Sequence, residues 1–400
     1  MSLRHREDHA VYNAAMSMCV LAAMASASAW TGPVPSAWTP QVATGAPYPP
    51  SNVVRRMEFD FATHRRLAPG SDNWPITWAR NGLQYTAWGD GGGFGGTNER
   101  GRASNGFAVV RGTARDYAGQ NLAGGFGAVA PAPFTGKCYG VLALRGMLYA
   151  WRTGDESGET AYAFQELWRS ADNGKRWLPT GVRYSAAAFP RPDRGFFAPT
   201  FVQHGRDHRL ARDGWVYACA ANVKTERWDI HLPGEIVLLR ARERDISDPA
   251  AWTFHAGLDA AGRPKWTRDP SARQPIWTDR TGGAMMVSVA WNPALRRYLL
   301  MTEHGRTASG NIGVFEAPEL WGPWRTILYT EGWGSDRVEP TAFYWSFAPA
   351  WWSGDGLSFV MVFTGTGAND AWNTVEGRFQ VTPRPAPVDA RIYGARSARR

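Results

Sequence analysis

Hydrophobic positions along this chain fall in short runs divided by Gly, Pro, Asn and Asp, and no long amphipathic helical pattern appears between them. The sharpest pair of runs lies in residues 71–96, SDNWPITWARNGLQYTAWGDGGGFGG. Apolar runs at 75–79 and 83–88 flank Arg80-Asn81-Gly82, and Asn-Gly between such runs predicts a hairpin. Folding about Asn81 brings Asp72 and Asp90, each nine residues away, to the same open end. A three-residue loop with Gly82 left-handed makes them direct cross-strand neighbours, with Cβ atoms about 4.5–5.5 Å apart. A two-residue turn would put them on opposite faces. The first register is preferred, because two carboxylates beside a run of glycines suit an open site better than a packed edge. In the plainer reading Asp72 caps a turn and Asp90 starts a glycine loop.

The same pattern divides the chain into five units. The hairpin and a strand at 105–111 form the first; strands at 138–144, 147–152 and 166–170 form the second. The third runs from 195 to about 254, the fourth from 283 to about 329, and the fifth has strands at 340–346, 357–365 and 375–381. Five units of three or four short strands predict an all-β fold, a five-bladed β-propeller over residues 53–382, ahead of six blades or a pair of sandwiches. Residues 170–177, SADNGKRW, match the Ser-x-Asp-x-Gly-x-x-Trp pattern of an Asp-box, a tight turn between outer strands with Trp packed beneath. Asp172 is therefore assigned to the scaffold.

Residues 1–29 read as an export signal: Arg4 and Arg6, an apolar run at 14–25, then Ala27-Ser28-Ala29. That run is too short for a stable membrane anchor. Residues 30–52 read as a Pro-rich linker or loosely attached arm, and 383–400 as an Arg/Pro-rich tail. A net charge of +9 comes mostly from dispersed arginine without a basic stripe, so nucleic acid is not an expected partner. The loop at 91–102 lacks the Lys-Ser/Thr and the helix of a phosphate loop. Cys19 would leave with the signal; Cys138 and Cys219 are read either as a pair or as two buried thiols. His204 and His208 sit in a polar loop rather than on a helix, so no metal is expected there, and no cofactor elsewhere.

The chain resembles a group of bacterial secreted five-bladed propeller proteins of formerly unknown function, some members of which act as endo-D-arabinanases. The resemblance rests on Asp72-Asn73-Trp74-Pro75, Trp88-Gly89-Asp90-Gly91, the Asp-box unit, the stretch APELWGPW at 317–324 and Asp370-Ala371-Trp372-Asn373. It implies that the two first-blade aspartates, Asp72 and Asp90, are the catalytic pair. The glycine-rich loop after Asp90 departs from the pattern and implies a different substrate rim.

Carboxylate chemistry leads to the same pair. Glycosidic hydrolysis needs one acid to protonate the leaving oxygen and one carboxylate as nucleophile or base, and a short separation predicts retention. Asp90 is assigned as nucleophile and Asp72 as acid/base. Substrate-binding candidates are Asn73 and Trp74 beside the pair, and Lys137, Thr200, Arg280 and Glu339 at blade entrances. Against these stand a turn role for Asn73, a core role for Trp74 and an exposed loop for Glu339. The expectation is a secreted or periplasmic monomer that cleaves an arabinan-like polysaccharide. A lectin-like propeller, a sialidase and a polysaccharide lyase are the alternatives, the last two lacking a clear arginine cluster or base set.

Overall fold

In a computed structural model of the chain, residues 37–40, 42, 44–154, 163–224, 232–283 and 286–381 are described. The expected export signal, Cys19 and the C-terminal tail lie outside them. Strand β1 (Val54–Leu67) comes first in sequence but belongs to the last blade. Blade 1 contains β2 (Ile76–Trp78), β3 (Gln84–Gly89), β4 (Asn105–Gly112) and β5 (Tyr117–Ala123). Blade 2 contains β6 (Lys137–Leu144), β7 (Met147–Gly154), β8 (Phe164–Ser170) and β9 (Leu178–Ser185). Blade 3 is larger, with β10 (Gly195–Phe201), β11 (Trp215–Val223), β12 (Glu235–Arg242), β13 (Thr253–Leu258), β14 (Pro264–Thr267) and β15 (Pro275–Thr278). Blade 4 contains β16 (Ser288–Asn292), β17 (Arg297–Glu303), β18 (Ile312–Ala317) and β19 (Arg325–Thr330). Blade 5 contains β20 (Ala342–Phe347), β21 (Ser358–Gly365) and β22 (Trp372–Val381), completed by β1.

These are five antiparallel sheets, and the fold is a five-bladed β-propeller. β1 pairs with β22 from Val54↔Val381 to Leu67↔Trp372, so the start of the domain closes the ring against its end. Each blade packs on a neighbour at both faces. Strands near the axis are therefore buried along their length, as in β3 and β6, instead of alternating. The apolar runs fill five clusters between successive blades, and a sixth, with Tyr139, Phe197, Met286 and Phe343, lies at the axis. The arm before the first strand adds two aromatics to the blades: Trp38 bridges to Phe59, and Tyr48 packs on Phe315 with rings 5.7 Å apart.

A meander that starts at the axis leaves the entrance of every innermost strand on one face. The end of each second strand lies there too, and the turns after the first and third strands lie on the other face. Residues 170–177 form such a far-side turn between β8 and β9. In it Ser170 Oγ donates to Asp172 Oδ1, and Trp177 stacks on Phe107 at 4.1 Å. Cys138 and Cys219 are both buried and free, which resolves that alternative in favour of thiols. Among the described residues no helix is long and apolar enough to cross a membrane.

Candidate active site

The opening hairpin turns as its sequence requires. Ile76↔Thr86, Thr77↔Tyr85 and Trp78↔Gln84 pair about Asn81, and Gly82, at φ 86°, closes a three-residue loop with its N–H on Ala79 O at 2.9 Å. The register does not persist to the open end. Asn73 takes φ 55°, a left-handed kink that Asn tolerates, and the pairing slips by one residue so that Asp72 faces Gly89. Asp72 N–H and C=O both bond to Gly89, at 2.9 and 2.8 Å. The two aspartates are therefore not direct cross-strand neighbours. A short cross-strand separation between them therefore no longer supports retention.

They still share one site. The Asp72 carboxyl lies over bare Gly89: a Cβ there would sit 2.8 Å from Asp72 Oδ1 and 3.2 Å from Lys137 Cδ. Asn73 Nδ2 donates to Asp72 Oδ1 at 2.6 Å, fixing the carboxyl, while Asn73 Oδ1 is buried without a partner among the described residues. Asp90, itself at φ 55°, turns outward from the end of β3. Its Oδ1 takes the Lys137 ammonium from blade 2 at 2.5 Å and the Arg102 guanidinium from the glycine-rich loop at 3.3 Å. Among the described residues Oδ2 makes no hydrogen bond.

Burial dominates the electrostatics of Asp72. It is half-buried by its exposed surface, but its carboxyl is enclosed tightly enough that desolvation pushes it up to about 8. Lys137 opposes this, Asp90 and Asp370 add to it, and Arg102 opposes it further. Asp370, raised chiefly by its own burial, precedes β22 in blade 5 and accepts a bond from Asn98 Nδ2 at 3.4 Å. Asp370 and Arg102 were not singled out from the sequence as site residues. Arg102 carried no signal beyond being a cation in the glycine loop, whereas Asp370 opens a motif already noted.

The loop bearing Arg102 is compact. Gly93 N–H bonds Ser71 Oγ, and the buried Asn121 amide ties Gly92, Phe94 and Phe126 together. Gly91 is at φ 68°, and a Cβ there would fall 2.0 Å from Gly70 O, so the turn after Asp90 requires glycine.

Of the sequence candidates, Asp72, Asn73, Asp90 and Lys137 come together, and four do not join them. Trp74 is corrected to the core: it is fully buried, with rings of Phe94 and Trp372 each 5.3 Å away, and has no face for a sugar. Thr200 is buried beside Tyr344 and Ser346, lining a narrow axial cavity. Arg280 is exposed in the turn after β15, in blade 3. Glu339 is exposed and acts on its own blade, its Oε2 taking the Ala368 N–H at 2.6 Å in the turn that leads to Asp370. His204 and His208 lie on the far side of the ring, their ring centroids 4.8 Å apart, with His208 Nε2 on Trp215 O.

Residues 147–363 match the model of a protein family described as a domain of unknown function, DUF4185. No curated protein matches the chain by sequence. Among solved structures, it is similar to a protein from Bacteroides ovatus ATCC 8483 provisionally described as a hydrolase. The two share 12% identity over 88% of this chain and 97% of that one, with a TM-score of 0.52. It is also similar to a thermostable family-43 glycoside hydrolase at 15% identity, over 80% and 96% of the two chains, with a TM-score of 0.44. A third is a family 117 glycoside hydrolase from the marine bacterium Zobellia galactanivorans, at 10% identity over 84% and 97%, with a TM-score of 0.42. The first likeness speaks for the fold.

Proposed function

We propose, on the premise that the chain belongs to the DUF4185 family, whose model covers more than half of it, that it is an exported glycoside hydrolase acting on an arabinan-like polysaccharide. The family is described as being of unknown function, so the reaction is argued from the side chains of this chain. One observation carries the reading. Two carboxyl groups meet at the entrance face of the propeller in opposed environments, Asp72 pushed up to about 8 and Asp90 ion-paired to Lys137 and Arg102. Pairs of titratable groups set apart by their surroundings are the signature of an acid and its counterpart.

Asp72 then holds a proton at neutral pH and gives it to the leaving glycosidic oxygen as the C–O bond breaks. Asp90 supports the positive charge developing at the anomeric carbon. Its Oδ1 is fixed by two cations, which leaves Oδ2 for the substrate. Asn73 orients the acid, and Lys137, from a neighbouring blade, pairs with Asp90 while opposing the upward shift of Asp72. Retention of configuration in the first-formed sugar assigns Asp90 as nucleophile, and inversion assigns it as base for an attacking water.

The test is hydrolysis of arabinan, arabinogalactan and other furanose- and pyranose-containing polymers by the purified protein, beside Asp72→Asn and Asp90→Asn. Cleavage that both substitutions abolish, with folding and binding retained, is the expected result. Binding without cleavage by the wild type would replace this reading with a lectin-like one. Cleavage that survives both substitutions would place the chemistry elsewhere.

A further inference from the structure

The face of the ring opposite the carboxylate pair carries a concave site of its own. A pocket of about 370 Å³ lies between blades 2 and 3, lined by Arg145, Gly214, Arg242, Glu243 and Arg244. That volume is within the range of small-ligand sites. Arg145 stands in the turn after β6, Gly214 ends the loop between β10 and β11, and the other three span the end of β12. These are connections after first and third strands, which the meander carries to the far face. Arg145 and Glu243 are 98 residues apart in sequence and meet there as an ion pair at 3.1 Å. Arginines scattered along the chain are thus gathered by the ring.

The cations are held in place. Arg242 lies 3.9 Å over the Trp215 ring, and Arg240 lies 3.9 Å over the same ring and 3.7 Å over Trp266. A stacked guanidinium keeps its in-plane N–H groups for other partners. Arg242 Nη1 donates to the Asp213 carbonyl at 3.1 Å, and among the described residues no carboxylate pairs with it. Arg206 donates to the Arg80 carbonyl, and a Cβ on Gly146 would lie 3.9 Å from Arg80 Nη1, so two more cations border Arg145. The neighbouring acids are engaged: Asp245 pairs with Arg244 at 3.2 Å, Asp207 takes the Gly146 N–H and Asp213 the Tyr217 hydroxyl.

Three arginines against one glutamate leave the lining with two positive charges in surplus. Around it Arg80, Arg206 and Arg240 balance Asp207, Asp213 and Asp245, so the surplus stands. A phosphate monoester carries about 1.5 to 2 negative charges at neutral pH and three acceptor oxygens, which match guanidinium groups arriving from two blades. A carboxylate offers one charge and two oxygens in a single plane. We infer that this far-face pocket binds a phosphate monoester, borne by a sugar or by a lipid headgroup. The inference does not rest on the glycosidase reading. Because the pocket faces away from Asp72 and Asp90, its ligand leaves them uncovered.

The test is calorimetric titration of the full chain with glucose 6-phosphate, beside sedimentation with phosphatidylcholine vesicles that carry phosphatidic acid. Binding of the first supports a soluble ester and binding of the vesicles alone a lipid-borne one; binding of neither overturns the site. Affinity is expected to fall at least about tenfold in Arg242→Gln and in Arg244→Gln, with thermal melting as the check on folding. The Arg244 side chain is 79% exposed, so its removal leaves the core intact. Unchanged affinity in either variant overturns the pocket. Arg111→Gln removes the same charge from an exposed position in blade 1 and should bind as wild type, whereas an equal loss there would reduce the effect to net charge and overturn the pocket. Glucuronate bound as tightly as glucose 6-phosphate overturns the chemical class. Binding lost in Arg102→Gln but kept in Arg244→Gln would place the anion beside Asp90 and overturn the far-face assignment.

Discussion

Asp72→Asn removes an ionisable group that the fold keeps protonated at a cost, and the cost can be worked through. The carboxyl sits at about 8 in the folded protein against 3.8 when free, chiefly because burial disfavours the anion. Between those values the folded chain holds a proton that the unfolded chain has released. Stability therefore falls as pH rises through that window and levels off above it. Each unit is worth about 1.36 kcal/mol, so at neutral pH the penalty is at most about 4 kcal/mol. Asp72 as a whole is only half-buried, and solvent screening brings the figure to about 2 kcal/mol. Asn keeps the shape and the partner for Asn73 without the charge. The melting temperature of the variant relative to wild type is therefore expected to rise steadily from pH 5 to pH 8, by on the order of 4 °C. Scanning fluorimetry across buffers measures this, and glycan cleavage should be lost in the same variant. A melting difference independent of pH, or a variant less stable than wild type at pH 8, would mean that Asp72 is ionised in the folded state. It could then not serve as the acid.

Three further outcomes are expected. Lys137→Met removes the cation that pulls Asp72 down, so the alkaline fall of the pH–rate profile should move upward. A profile that stays in place or moves downward would separate Lys137 from Asp72. Gly89→Ala would set a Cβ 2.8 Å from Asp72 Oδ1. Displacing the acid should lower kcat by about 10²-fold, at about 1–3 kcal/mol of stability, whereas kcat within threefold of wild type would show that the carboxyl has room. Trp74→Ala opens a cavity at a fully buried site and should cost about 3–5 kcal/mol in denaturant unfolding. A loss under about 1 kcal/mol would contradict its place in the core.

The parts of this architecture that are local in sequence were legible, and the parts made by ring closure were not. Asn81-Gly82 dictates a turn type, and the turn type dictates the pairing of the next few residues, so the hairpin follows from six or so positions. The slip at Asn73 depends on one residue's φ, and Asn is common at turns for several reasons. That single angle decides whether Asp72 faces Asp90 or Gly89. Lys137 was found because blade entrances share one face, a rule of the topology. Arg280 and Glu339 satisfied the same rule and missed the site, since an entrance position fixes the face of the molecule but not the azimuth around the axis. Nothing local marks β1 as a blade strand, because its partner β22 lies about 320 residues away and no local pattern records that pairing.

Closure of the ring also shapes the surroundings of Asp72. Blade 1 and blade 5 are the last neighbours to meet, and their seam carries Trp74 edge-on to Trp372 at 5.3 Å. There Gly70 N–H bonds Asp370 O at 2.8 Å, and Asn98 reaches the Asp370 side chain. Asp72 lies between those two anchor points in sequence, two residues from each of Gly70 and Trp74. Blade 5 thus supplies one of the two like charges that raise its carboxyl further, Asp370. A first blade alone could form the hairpin and place Asp90 against Arg102, but it would lack Lys137 of blade 2 and Asp370 of blade 5. The electrostatic setting that the proposed acid needs is therefore drawn from blades 1, 2 and 5, which closure of the ring through the β1–β22 pairing brings together.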